Sequence, residues 1–242
     1  MYPVPDLNNK LRITIHDCFG VVSDTHLGAR GEALRELYEI YDDFAERGIR
    51  QVFHVGDVTD GENVYVGHRR YVKCYGYEAQ LRWAIRKYPM KPDITTHMIA
   101  GNHDSSFMVR SGADIVKAIC SERADLKYAG LFYARYQDGS LRIDSLHPRG
   151  GSYYSKSYGI QKWIRNNEMP STYPDIMLFG HWHQHGYFND HGIECIMCGN
   201  FQHPNEYHIR MGFTGNIGGW IVEIPKRDKP VSIKLEWLSK EK

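Results

Sequence analysis

The sequence predicts an α/β fold made of two packed β-sheets with helices on the outside. Three observations lead there. Apolar runs of strand length alternate with amphipathic stretches through the first half, the second half is a succession of strand patterns with a hairpin signal, and polar residues recur where several apolar runs end. Alternation of this kind implies parallel strands with covering helices. In layered α/β folds, functional groups gather just beyond the strand ends.

Residues 11–15 alternate apolar and polar side chains as a half-exposed strand does, and 18–22 read as a more buried strand that stops at Ser23-Asp24. Between 32 and 47, Leu34, Leu37, Ile40, Tyr41 and Phe44 recur at helical spacing, with Gly48 as terminator. A strand at 51–55, a helix over 71–88 carrying Leu81, Trp83, Ala84 and Ile85, a strand at 94–100 and a helix over 113–120 complete the alternating half. Beyond Lys127, strands at 128–136 and 141–146 flank Gln137-Asp-Gly-Ser140, a hairpin signal. Residues 155–166, with Ile160, Trp163 and Ile164, predict another helix. The runs from Ile176, over 193–197 and over 220–224 predict strands, and 231–238 alternates Val231, Ile233, Leu235 and Trp237 as a last one.

At 242 residues the chain can bury one substantial core. A single domain over 1–242 is expected, with a small substrate-facing insertion placed around 62–92. Thirty basic against 29 acidic residues leave a net charge of +1, so nothing global calls for a polyanion or a membrane surface. Five cysteines, an odd number, do not suggest a disulfide framework. The CxxC spacing of Cys195 and Cys198 lacks a second pair, and two thiols on a strand are expected there. With no leader pattern and no run of about 18 apolar residues, a cytoplasmic protein is expected, without a membrane partner.

The chemistry concentrates in Asp24, His26, Asp57, Asn102, His147, His181 and His183. Asp24 and His26 lie two apart, so in an extended segment both side chains point to one side. Asp57, after the flexible Gly56, adds a carboxylate able to bridge two cations roughly 3.5–4 Å apart. Asn102 offers a carbonyl oxygen, and the histidines offer imidazole nitrogens. Mixed oxygen and nitrogen donors without thiolate favour Mn, Fe, Zn, Ni or Co over Ca or Mg. Each piece alone has an ordinary alternative, since Gly-Asp is a common turn and Asp-Thr-His can cap a helix. The ordered set DxH, GD, GNHD, a single His and GHxH does not arise easily by chance.

On Asp24-Thr-His26, Gly56-Asp57, Gly101-Asn-His-Asp104, His147 and Gly180-His-Trp-His183, the sequence resembles the calcineurin-like metallophosphoesterase superfamily. The resemblance implies two mixed sheets sandwiched between helices, a four-layer αββα architecture. It also implies two divalent metal ions, Mn foremost, one held by Asp24, His26, Asp57 and His183 and the other by Asp57, Asn102, His147 and His181. A water shared by two such cations has a lowered pKa and serves as a bridging hydroxide in an in-line attack on a phosphate ester. His103 is implied as the acid that protonates the leaving oxygen, with Asp60 as the carboxylate that orients it. Asp104 is expected to support the site from behind or to cap a helix.

The chain departs from the protein phosphatases just after Asp60, where those enzymes continue with Arg-Gly and this sequence has Gly61. A small or nucleotide-like phosphodiester is therefore the expected substrate. Basic and aromatic residues interleaved over 65–91, among them His68, Arg69, Arg70 and Tyr71, keep a DNA nuclease of the repair type as an alternative. A non-catalytic scaffold is the third reading. Asn200, Phe201, Gln202, His203 and Tyr207 are expected at the rim of the site.

Overall fold

Apolar side chains on both faces of the central strands build three apolar layers, and these hold two sheets and their helices together. The computed structural model describes residues 6, 8–150, 155, 157–166, 173–212 and 215–240. In chain order the elements are β1 (Lys10–Arg12), β2 (Cys18–Val22), α1 (Leu34–Glu46), β3 (Gln51–Val55), a 3₁₀ turn (His68–Tyr71), α2 (Tyr77–Lys87), β4 (Thr95–Ala100), α3 (Ser105–Ser111), α4 (Ile115–Ser121) and β5 (Leu126–Leu131). The second half contributes β6 (Tyr133–Asp138), β7 (Leu141–Leu146), α5 (Tyr158–Asn166), β8 (Ile176–Phe179), β9 (His185–Asp190), β10 (Ile193–Cys198), α6 (Glu206–Met211), β11 (Gly218–Lys226) and β12 (Ser232–Ser239).

One sheet runs β12-β11-β2-β3-β4-β5 and the other β1-β6-β7-β8-β10-β9. Strands β2 to β5 are parallel, as the strand and helix alternation predicts, and β11 joins β2 antiparallel. The second sheet mixes parallel β7-β8-β10 with antiparallel β6-β7 and β10-β9. Phe19, Val21, Phe53 and Val55 face Ile143, Ile176, Leu178 and Ile196 between the sheets. Val22, Val52 and Met98 point the other way, against Leu37, Ile40 and Phe44 of α1 and Ile115 and Ile119 of α4. Met177 and Phe179 pack under Ile160 and Ile164 of α5. The result is the expected αββα sandwich of two mixed sheets. Among the described residues, no helix is long and apolar enough to cross a membrane.

Several local expectations needed correcting. The helix expected over 71–88 begins only at Tyr77, because the N–H groups of Lys73 and Cys74 both donate to the Gly28 carbonyl and Gly76 adopts φ 101°. The strand expected over 128–136 is two strands in different sheets. Phe132 breaks it with φ 64°, donating to the Ala100 carbonyl (2.9 Å) and accepting from His147 N–H (2.8 Å). Regular pairing at the first strand covers Lys10–Arg12 and not 11–15, since the Ile15 N–H is taken by the Asp138 side chain. Strand β9 and helices α3 and α6 were not anticipated. The helix expected over 155–166 starts at Tyr158, and part of its expected first turn lies outside the described residues. Cys195 and Cys198 are buried free thiols on β10, one on each face of its sheet.

Candidate metal centre

Parallel strands β2, β3 and β4 end side by side, and the loops that leave them carry most of the expected ligands. Asp24 N–H donates to the Gly56 carbonyl and His26 N–H to the Asp57 carbonyl, so two of these loops run on as a ladder past the strand ends. The backbone there is not extended, as the reading of Asp24 and His26 supposed. Nine non-glycine residues among those described have positive φ, and five of them are Asp24 (52°), His26 (43°), Asp57 (52°), His181 (79°) and His183 (57°). Left-handed backbone at histidine and aspartate is costly, and its clustering marks a place where side-chain aim outweighs local strain.

Asp24, His26 and His183 group with donor atoms within 4.8 Å of one another, and Asp57, His147 and His181 form a second group. In the first, the Nε2 atoms of His26 and His183 stand 3.1 Å apart, and His183 Nε2 is 3.3 Å from Asp24 Oδ1. In the second, His147 Nε2 lies 3.2 Å from Asp57 Oδ2 and 3.1 Å from Asn102 Oδ1. Asp57 Oδ2 is also 3.9 Å from His26 Nε2, so this carboxylate faces both groups. All seven expected ligands are thus brought together. His147 is buried at the centre, whereas His185 stacks on Trp237 and His191 and His203 are exposed.

The donor set suits divalent cations. Three carboxylates, Asp24, Asp57 and Asp60, are buried, and among the described residues they have only histidines as ionic partners. Buried negative charge of this density requires positive charge. Three of the rings hold one nitrogen outward and turn the other inward: His147 Nδ1–H donates to the Val55 carbonyl (2.8 Å), His181 Nε2–H to the Gly150 carbonyl (2.7 Å), and His26 Nδ1 faces Asp60 Oδ1 (3.3 Å). Outer partners of this kind set the tautomer and leave the inner lone pair free for a metal. The Asn200 amide sits 3.4 Å from His183 Nδ1.

Electrostatics agree. Burial disfavours the charged ring of His147, yet the Asp57 charge and hydrogen bond, with Asp24, lift it to about 9. Burial pushes the Asp24 carboxyl up, but the hydrogen bond from His183 and the charge of His147 hold it at about 2. Burial drives His181 down to about 4 and His103 down to about 3, so both rings are neutral near pH 7.

His103 groups with His26 and Asp60, its ring edge-on to His26 at 4.4 Å. Its N–H donates to Asp57 Oδ1 (2.8 Å) and its Nδ1–H to the backbone carbonyl of Asp60 (2.6 Å). The Asp60 carboxylate, expected to orient His103, lies 3.7 Å from that ring and is engaged instead by His26 and by His68 Nε2–H (3.1 Å). His68, expected only as part of the basic aromatic stretch, is buried in the site. It lies in an irregular segment where no periodicity marks the inward side. Asp104 does not cap α3 with its side chain. It accepts from Val58 N–H (3.0 Å), Thr59 N–H (2.7 Å), Thr59 Oγ1 (2.8 Å) and Gly101 N–H (2.9 Å), pinning two of the metal-site loops together.

Glycine supplies clearance. A Cβ at Gly101 would come within 2.1 Å of Asp57 Oδ1, and one at Gly56 within 2.3 Å of His147 Nδ1. Above the centre opens a pocket of about 340 Å³ whose wall includes Tyr65, Trp182, Tyr207 and His208. Of the expected rim residues, Tyr207 lines it. Asn200 and Gln202 lie beneath, on His183 and Asp60.

A family model described as calcineurin-like phosphoesterase matches residues 19–185, and the chain belongs to that family. Solved structures similar to it include a novel archaeal phosphodiesterase (13% identity, 91% of this chain and 99% of that one, TM-score 0.49). Others are the phosphoesterase YfcE from E. coli (15%, 90% and 98%, TM-score 0.45) and Zn-complexed Vps29 from Entamoeba histolytica (13%, 92% and 98%, TM-score 0.44). No curated protein matches the sequence.

Proposed function

We propose that the chain hydrolyses a phosphodiester with two divalent metal ions, Mn foremost, as one domain whose 62–92 segment walls the substrate pocket. Asp24, His26, Asp57 and His183 would hold one ion, and Asp57, Asn102, His147 and His181 the other. The observation that carries this reading is the position of Asp57 Oδ2, 3.2 Å from His147 Nε2 and 3.9 Å from His26 Nε2. When bound, divalent ions at paired sites lower the pKa of water and offset charge on phosphoryl oxygens.

The protein's own groups supply aim and protons. His103 N–H fixes Asp57 Oδ1, and the Asp60 carbonyl fixes His103 Nδ1–H, so Nε2 is the position from which a proton reaches the leaving oxygen. Burial keeps this ring neutral near pH 7 in the free protein, so in this reading Nε2 must gain a proton before passing it on, and an anionic ester beside the ring would favour that. His68 and Asp60 hold His26 from behind.

The nuclease reading leaned on the basic aromatic stretch. Its cations are engaged within the chain: Lys73 with Glu32 and the Trp83 ring, Arg82 with Glu78, Lys91 with Asp42, and Arg69 on the Tyr75 ring. The scaffold reading leaves the convergent ligand set and His103 without a purpose. Purified chain with added Mn is expected to hydrolyse bis(p-nitrophenyl) phosphate. Asp57→Ala and His103→Ala should each lose at least about a hundredfold in kcat; full turnover by Asp57→Ala overturns the assignment.

A further inference from the structure

Resting on the phosphodiesterase reading, we infer that the leaving group of the substrate carries a flat uncharged ring, a nucleoside or a similar aryl alcohol, recognised by stacking on Tyr207. The leaving oxygen must lie beside His103, the proton donor. Beyond His103 on the pocket wall stands Tyr65, its ring centroid 6.5 Å away in an edge-on arrangement. Tyr65 is itself clamped in a column of rings. His68 is tilted against it at 4.6 Å and 40°, and Tyr207 stacks on it at 4.1 Å with only 14° between planes.

The column ends at Tyr207, whose other aromatic neighbour, His208, meets it edge-on at 5.9 Å. Among the described residues no further ring stacks on its second face. A base or aryl ring placed there continues the column, a contact that suits any base because each has a π-face.

Charge on the described wall favours an uncharged leaving group. Among the described residues the pocket wall holds no arginine or lysine. A polyphosphate or phosphorylated sugar expelled on this side would find no cation, whereas a nucleoside needs none. Tyr65 and Tyr207 come from segments 142 residues apart (207 less 65), so the column exists only in the folded chain.

Calorimetric titration of adenosine and of ribose into the wild-type chain tests this without turnover. Adenosine is expected to bind at least about tenfold tighter than ribose. Tyr207→Leu should remove that difference and Tyr207→Phe should keep it, with circular dichroism reporting the fold of each variant. Equal binding of adenosine and ribose to the wild type overturns the inference, as does a folded Tyr207→Leu chain that binds adenosine undiminished. Turnover of a single-stranded hexadeoxynucleotide and of a 3′,5′-cyclic nucleotide then separates the two sources of the ring. A raised KM in Tyr207→Leu on whichever is cleaved supports the inference, and an unchanged KM on both overturns it. Inactivity toward every phosphodiester, with adenosine still bound through Tyr207, would sink the hydrolase reading and leave the stacking site standing.

Discussion

The backbone carbonyl of Asp60, and not its carboxylate, holds the ring of His103, with Nδ1 to O at 2.6 Å. This frees the carboxylate to face His26 Nδ1 at 3.3 Å and to accept from His68 at 3.1 Å. Asp60→Asn is therefore expected to leave His103 in place and to weaken metal binding about 10–100-fold, as loss of an outer partner of a ligating histidine does. Titration of Mn into the variant checks this, and raised Mn should restore turnover. Wild-type Mn affinity with lost turnover would assign the carboxylate to His103 after all.

Clearance at Gly101 gives a second test. Gly101→Ala drives a methyl group into Asp57 Oδ1 (2.1 Å) and Asp57 N (2.4 Å), which cannot both withdraw. A loss of about 1–3 kcal/mol in stability is expected, together with loss of Mn binding. At Gly186 the nearest atom, Met197 Sδ, is an ordinary 3.5 Å away, so Gly186→Ala should keep both. Chemical denaturation and Mn titration on the two variants decide.

Acid sensitivity follows from histidines outside the ligand set. Burial lowers His54 to about 3 and His97 to about 4 from an ordinary 6.5. Folded values below the unfolded one mean that the unfolded chain binds the extra protons. The stability these neutral rings allow is complete above pH 6.5 and is lost as pH falls toward 3–4, by up to about 1.4 kcal/mol per pH unit for each group. His97, stacked on Phe53 at 5.6 Å and 27°, is the site to alter. His97→Phe should flatten the decline between pH 6 and pH 4.5 in denaturant titrations, and an unchanged slope would contradict the assignment.

Arg135 and Asp144 sit opposite each other on β6 and β7, both buried, joined through Nε (2.7 Å) and Nη2 (2.8 Å), with Tyr133 donating to Asp144 (2.9 Å). Removing one partner leaves a buried charge. Asp144→Ala is expected to cost about 3–5 kcal/mol, and Arg135→Met with Asp144→Leu together distinctly less. Equilibrium unfolding of both variants measures the difference.

The strands that carry the site were legible because β2 and β8 are unbroken by polar side chains, β3 is mostly apolar, β4 closes on Met98-Ile-Ala100, and each is followed two residues on by a polar candidate ligand. What misled was continuity of another kind. Residues 128–136 are mostly apolar and aromatic, with Arg135 the single charged side chain, so nothing local reveals that Phe132 turns the chain from one sheet into the other. Amphipathic composition over 71–88 likewise conceals that Lys73 and Cys74 are tied to Gly28.

Residue chemistry and order alone determined an α/β fold of two packed sheets with outer helices and named the seven candidate ligands, because apolar periodicity and ligand type are properties of short segments; the αββα layering came from the family resemblance those ligands carry. Folding decided the rest: the left-handed backbone that aims five of those ligands, the Asp60 carbonyl on His103, the inward turn of His68, and the ring column of Tyr65 and Tyr207. Each of these depends on groups far apart in the chain meeting at distances of a few ångströms, and no local pattern encodes such a meeting.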